Sequence, residues 1–204
     1  MLPLGFMLMM ASPWLLLNKE GRRQIGLRPP SSLLQYPTAV LCGVAAALAC
    51  FAIGVVLFGE GGDNWFVSVA SNYRATMDTS RFSAAKLYLI FTLPALLFSP
   101  IGEEIFFRGM LQRSLEDRLS VNASTFIESA AFGIVHLCHH GLALDAAGLT
   151  VRPVSGALWV VLMSLVAWML AGIRKRSGSL YPAMASHAAF NATMNWVIFA
   201  FLWK

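Results

Sequence analysis

Two adjacent carboxylates, Glu103 and Glu104, sit in the apolar run Leu96-Leu97-Phe98-Ser99-Pro100-Ile101-Gly102-Glu-Glu-Ile105-Phe106-Phe107. Ionisable groups at membrane depth are expensive, and they are rarely kept without a partner or a function. Arg108 follows Glu104 by one helical turn on the same face, so it can neutralise Glu104 and anchor it. Glu103 projects about 100° away, toward a different environment. Taken alone, the pair also fits a helix start after Pro100, where acidic side chains complement the dipole.

Other polar residues extend the set. His136 lies in Ala131-Phe-Gly-Ile-Val-His, after a turn placed near Leu119–Asn122. Glu103 and His136 are each about 16 residues from that turn, roughly 24 Å at helical rise, so antiparallel packing brings them to one height. His187 and Asn191 are four apart and face one direction, among Ala183, Ala185, Ser186, Ala188, Ala189 and Ala192. These small residues permit close helix approach or leave room beside a cavity. His187 reaches the depth of the other two if the helix ends are staggered.

One carboxylate, two imidazoles and an amide make a hydrolytic set. Glu103 can take a proton from water attacking a carbonyl, and one of the two histidines can orient that water or relay the proton. The other histidine and Asn191 can donate to the developing oxyanion. The same atoms offer an alternative: Glu103, His136 and His187 as three ligands of a zinc ion, with water as the fourth. No His-Glu-x-x-His signature accompanies them.

The elements that must position these residues are membrane helices. Of 204 residues 57% are apolar and only 12% charged, which is too little charge to cover a water-exposed surface. The expected fold is all-α: a polytopic membrane helical bundle with about six transmembrane spans, in a single integral membrane domain over 1–204. The first span is 1–17, retained rather than cleaved, because its basic residues follow the apolar stretch instead of preceding it. A polar connection over 18–37 leads to the clearest span, 38–58. The longest loop, about 59–83, holds a short surface helix around Trp65 to Tyr73. Pro94 and Pro100 predict a kinked or broken helix before the Glu pair, continuing to about Asp117. Further spans cover about 123–140, 154–173 and 180–203.

The net charge of +5 comes from short basic clusters between apolar stretches, with no interleaved aromatic platform, so no nucleic acid is expected as a partner. With the N-terminus outside, ten cations fall inside (Lys19, Arg22, Arg23, Arg28, Arg108, Arg113, Arg118, Arg174, Lys175 and Arg176) and five outside (Arg74, Arg81, Lys86, Arg152 and Lys204). Cys42, Cys50 and Cys138 match no metal spacing and no disulfide framework.

The ordered pattern Glu-Glu-x-x-x-Arg (Glu103, Glu104, Arg108), Phe-x-x-x-His (Phe132, His136) and His-x-x-x-Asn (His187, Asn191) resembles the CAAX-protease and bacteriocin-processing family of intramembrane glutamic endopeptidases, related to the type II CAAX prenyl protease. Phe107-Arg-Gly-Met-Leu-Gln and Gly178-Ser-Leu-Tyr-Pro-Ala-Met-Ala-Ser-His-Ala-Ala-Phe-Asn fit as well. The resemblance covers about residues 94–195, the expected catalytic core. It implies Glu103 as the water-activating base, His136 as its partner, and His187 with Asn191 as the oxyanion pair. Glu104, Arg108 and Phe132 would be supporting residues. It also implies a metal-independent mechanism with no cofactor, although relatives have long been described as metalloproteases. The expected partners are a membrane-associated protein or peptide substrate and the lipid bilayer, and the expected location is a bacterial inner membrane, as a multi-pass protein. A sorting-signal peptidase is one form this takes. A non-catalytic membrane scaffold or chaperone, or a small transporter, are the alternatives.

Overall fold

The computed structural model describes residues 2–145 and 148–203. Helix α1 (Leu2–Leu16) is followed by the short α2 (Lys19–Gln24) and the long α3 (Gln35–Phe58). Helix α4 spans Trp65–Thr76 and α5 Ala84–Glu103; a π-helical turn over Glu104–Leu111 then joins α5 to α6 (Gln112–Glu116). Helix α7 (Val121–Val135) ends in a 3₁₀ turn, His136–Cys138. An antiparallel hairpin, β1 (Leu142–Asp145) with β2 (Gly148–Val151), leads to α8 (Pro153–Ser177). Helix α9 (Tyr181–Val197) closes with a π turn, Ile198–Leu202.

The all-α membrane bundle is the observed architecture, with a single two-stranded hairpin among the described residues. Among the described residues, four segments are long and apolar enough to cross a bilayer: Gln35–Phe58, Ala84–Glu116, Val121–Cys138 and Pro153–Ser177. Leu4–Leu16 is apolar but shorter. The last helix carries His187, Asn191 and Asn195, which lower its apolarity, and it lies among α3, α5 and α8. Against the expected six spans, length and apolarity alone therefore support four, with α1 and α9 completing the bundle. Outward positions such as Leu41, Val56 and Leu165 are exposed aliphatics, as a lipid-facing surface requires.

Local chemistry sets the helix ends. Ser83, Ser120 and Asn64 accept from the first-turn N–H groups of Lys86, Ala123 and Phe66. Pro153 and Pro182 sit in first turns, where a missing N–H costs nothing. Gly178, at φ 65°, ends α8 in the left-handed conformation, with its N–H donated to the Arg174 carbonyl. The turn before α7 lies at Asp117–Ser120, slightly earlier than expected, because Ser120 caps the helix.

Helix α3 packs through a stripe of small residues, Ala39, Gly43, Ala47, Cys50 and Gly54, all buried. At Gly43 the backbone of α9 comes so close that an added methyl group would collide with the Ser186 carbonyl. Gly133 of α7 meets Ser164 of α8 in the same way. These approaches are how membrane helices gain packing energy without a hydrophobic drive between them.

Two expectations need correction. Helix α4 is not a surface helix: Trp65, Phe66, Val69 and Ala70 are buried, and the Trp65 indole N–H donates to the Cys50 carbonyl at 3.1 Å. The segment through Pro94 and Pro100 is not broken; α5 runs continuously through both prolines, and the irregularity falls after Pro100 as the π turn. The three cysteines are free. Lys204, counted above among the outer cations, lies outside the described residues.

Candidate active site

Glu103 ends α5 and Glu104 opens the π turn, and their side chains diverge as helical rotation requires. Glu103 is 7% exposed; its Oε1 accepts from Ser99 Oγ at 3.1 Å. Its other oxygen, Oε2, is buried with no hydrogen-bond partner and lies 3.9 Å from His187 Nε2. Glu104 is fully buried behind it. Its Oε1 lies 3.1 Å from Arg108 Nη1 and 2.8 Å from His187 Nδ1. Glu103 thus keeps one oxygen without a hydrogen-bond partner, while Glu104 Oε1 is held by both Arg108 and His187.

Helix α7 and the 3₁₀ turn that follows it contribute Glu128, Phe132 and His136 on one side. The Arg108 guanidinium lies over the Phe132 ring at 4.0 Å and approaches Glu128 Oε1 with Nε at 3.3 Å. Glu128 is fully buried and accepts from Ser129 Oγ at 3.3 Å. One turn beyond Phe132, His136 Nδ1 is 2.7 Å from the Phe132 carbonyl. A carbonyl only accepts, so Nδ1 carries the proton there, and in the neutral ring Nε2 is the accepting nitrogen.

Helix α9 contributes a ladder at four-residue spacing: His187, Asn191 and Asn195. A carboxylate likewise only accepts, so His187 Nδ1–H donates to Glu104 and the ring's Nε2 points toward Glu103. Asn191 Nδ2 donates to the Ala95 carbonyl at 3.0 Å, which ties α9 to α5 between the two prolines. Asn195 is fully buried; it accepts from Tyr73 Oη at 2.7 Å and donates to Thr92 Oγ1 at 3.1 Å.

Glu103, His136, His187 and Asn191 line one cavity of about 320 Å³, together with Phe132 and Ser99. Its remaining wall is largely apolar and aromatic, including Phe91, Phe98, Trp159 and Phe190. Glu104, Arg108 and Glu128 form no part of that lining. They make a buried ion cluster behind it, in which two carboxylates flank one guanidinium. Such a cluster is weak evidence for stability, because desolvation offsets the attraction, but it fixes the groups it contains.

The structure therefore brings together the four residues that the spacing singled out, and pairs Glu104 with Arg108 behind them. His139 lines the cavity too, whereas His140 is buried outside it, between Ser68 and Ser155. The spacing argument missed Glu128, Ser99, Asn195 and Tyr73. Glu128 had a signal, as a lone acid in the apolar stretch before His136. Asn195 had one as well, four residues after Asn191. Among the described residues, no three carboxylate, imidazole or thiol groups converge closely enough to hold a metal ion. The alternative ligands Glu103, His136 and His187 are not close enough in this arrangement to share one ion.

The family model for type II CAAX prenyl endopeptidase Rce1-like proteins matches residues 85–193. No curated protein and no solved structure matches the chain. The matched segment runs from the start of α5 into α9, and so spans Ser99, Glu103, His136, His139, His187 and Asn191 of the cavity wall, though not Asn72 and Tyr73. With more than half of its length matched, the chain belongs to the Rce1-like, type II CAAX prenyl endopeptidase family, and is a CAAX-protease-like integral membrane enzyme.

Proposed function

We propose that the cavity hydrolyses a peptide bond of a membrane-associated substrate, with Glu103 as the base that activates water. The observation that carries this reading is the unpartnered, buried Oε2 of Glu103, facing a cavity that it shares with His136, His187 and Asn191. A water on that oxygen would give up a proton to Glu103 as its oxygen bonds to the substrate carbonyl carbon. The accepting Nε2 of His136 suits it to orient the water. The carbonyl electrons move onto oxygen, and the resulting oxyanion needs donors. Asn191 spends one amide N–H on Ala95 and keeps the second; His187, held at Nδ1 by Glu104, offers Nε2–H when protonated. Collapse of the intermediate breaks the C–N bond, and Glu103 passes its proton to the leaving amine.

The reading is glutamate-dependent and uses no cofactor. We further propose that the protein lies in a bacterial inner membrane with its N-terminus outside. Three connections meet at one end of the bundle, in support of that topology: Gly26 accepts from the Leu180 N–H, and Arg174 lies 3.7 Å from Glu116. The basic residues of those connections would face the cytoplasm.

The test is Glu103→Gln in the purified, reconstituted protein, with cleavage of a membrane-anchored peptide as the readout. General-base loss should slow cleavage by about 10²–10⁴-fold while thermal unfolding is unchanged. Unimpaired cleavage by that variant overturns the assignment. Chelator treatment of the wild type, with elemental analysis, should leave activity intact; loss of activity with loss of a stoichiometric metal overturns the cofactor-free mechanism.

A further inference from the structure

A second cavity, of about 830 Å³, opens at the end of the bundle where α2, the Leu27–Ser31 connection and the α8–α9 turn meet. Five cations line it: Lys19, Arg23, Arg28, Lys175 and Arg176. Glu20 is the one carboxylate among its lining residues. Among the described residues none of these five cations forms an ion pair. Charges of one sign held this close repel one another, and an anion in the cavity would relieve that repulsion.

The walls are fixed. The Leu180 N–H donates to the Gly26 carbonyl at 2.9 Å, and the Ser31 N–H to the Ser177 carbonyl at 3.1 Å. Arg28 Nε donates to the Gly178 carbonyl at 2.7 Å, and Ser179 Oγ to the Arg28 carbonyl at 2.6 Å. These bonds join segments about 150 residues apart, so the cleft does not depend on a ligand for its shape.

The surroundings identify the phase that the ligand comes from. Leu33 and Leu34, 76% and 79% exposed, follow the cleft just before α3. Trp14, Leu15 and Leu16 are exposed on the last turns of α1, just before Lys19. A tryptophan and bare leucines beside unpaired cations are the composition of a membrane–water interface. A soluble anion needs the cations but not the leucines.

We propose that this cleft seats the phosphate headgroup of an anionic phospholipid, whose acyl chains lie along the exposed leucines. The site is separate from the Glu103 cavity, and its ligand is a structural lipid rather than a substrate.

The test uses the full-length protein in detergent, titrated with phosphatidylglycerol or phosphatidylcholine and read by native mass spectrometry, in both wild type and E103Q. Phosphatidylglycerol should be retained at least ~10-fold more tightly. Each cation removed should weaken it roughly 5-fold, so that R23Q/K175Q/R176Q loses roughly 100-fold. K175Q alone gives the smaller step if the triple variant does not fold. R113Q/R118Q, which removes basic residues outside the cleft, should retain the lipid. Equal retention of the two lipids, equal loss in both variant sets, or displacement by equimolar inorganic phosphate each overturns the proposal.

Discussion

Glu104 and His187 are 83 residues apart in sequence, yet Glu104 Oε1 and His187 Nδ1 are 2.8 Å apart in the bundle. Because Arg108 holds the same oxygen at 3.1 Å, the imidazole is oriented by a group that is itself clamped. His187 therefore presents Nε2 to the cavity in one orientation. Glu104→Gln keeps the volume but offers no charge to the Nδ1–H. Under the proposed chemistry the variant should lower kcat by about 10-fold or more with little change in KM, and shift the acidic limb of the pH–rate profile. A change confined to KM would place Glu104 outside the chemistry.

Arg108 is the one cation between Glu104 and Glu128, and all three are fully buried. Arg108→Ala would strand two buried carboxylates without their cation, at a cost of about 3–5 kcal/mol. Thermal or denaturant unfolding in detergent should show that loss. The Arg108→Leu/Glu128→Leu double variant should recover part of it, because the stranded charge is removed along with its partner.

Gly43→Ala tests the α3–α9 contact. The added methyl group meets backbone, the Ser186 carbonyl, rather than a side chain that can turn away. Helix α9 must move, and His187 is the next residue. The expected result is destabilisation of about 1–3 kcal/mol together with reduced cleavage. At Gly172, where an added methyl group meets open space, the same substitution should leave activity unchanged.

His140 lies beyond the apolar span, 2.7 Å from Ser68 Oγ and 2.9 Å from Ser155 Oγ. Burial, and secondarily Arg152, push its pKa down to about 4, against a smaller opposing effect of Asp63. The folded protein thus resists a proton that the unfolded chain accepts near pH 6.5. Its contribution to stability is complete above that pH and is lost as pH falls toward 4, by up to about 3 kcal/mol. His140→Gln should flatten unfolding midpoints across that window. An unchanged slope would mean that other groups set it.

Much of the site was legible because polar residues are conspicuous in apolar runs. Glu103, His136, His187 and Asn191 stand out for that reason; helical spacing matched the heights of Glu103 and His136, whereas His187 and Asn191 required a stagger of the helix ends. The sequence was less informative where a residue's type fits two environments. Glu128 suits either an interfacial position or an ion cluster, and only the approach of Arg108 from another helix decides between them. Helix α4 reads as a surface element because Asn64, Ser68, Ser71 and Asn72 interrupt it, yet Trp65, Phe66, Val69 and Ala70 repeat at helical spacing and turn inward. The hairpin is too short to carry a strand signal. Pro94 and Pro100 suggested a break, but the helix runs through both, and Asn191 bridges to the stretch between them.

The π turn at Glu104–Leu111 has a bearing on which glutamate faces the cavity. A π turn accommodates an extra residue within a helix and shifts the phase of everything on one side of it relative to the other. Glu103 and Glu104 straddle its start, so their difference is one of phase and not of chemical type. Deleting one residue within the turn would relax it to ordinary α-helix and rotate the preceding segment by about 100°. Such a frame error would present the wrong carboxylate to the cavity while leaving the amino-acid composition of the site intact.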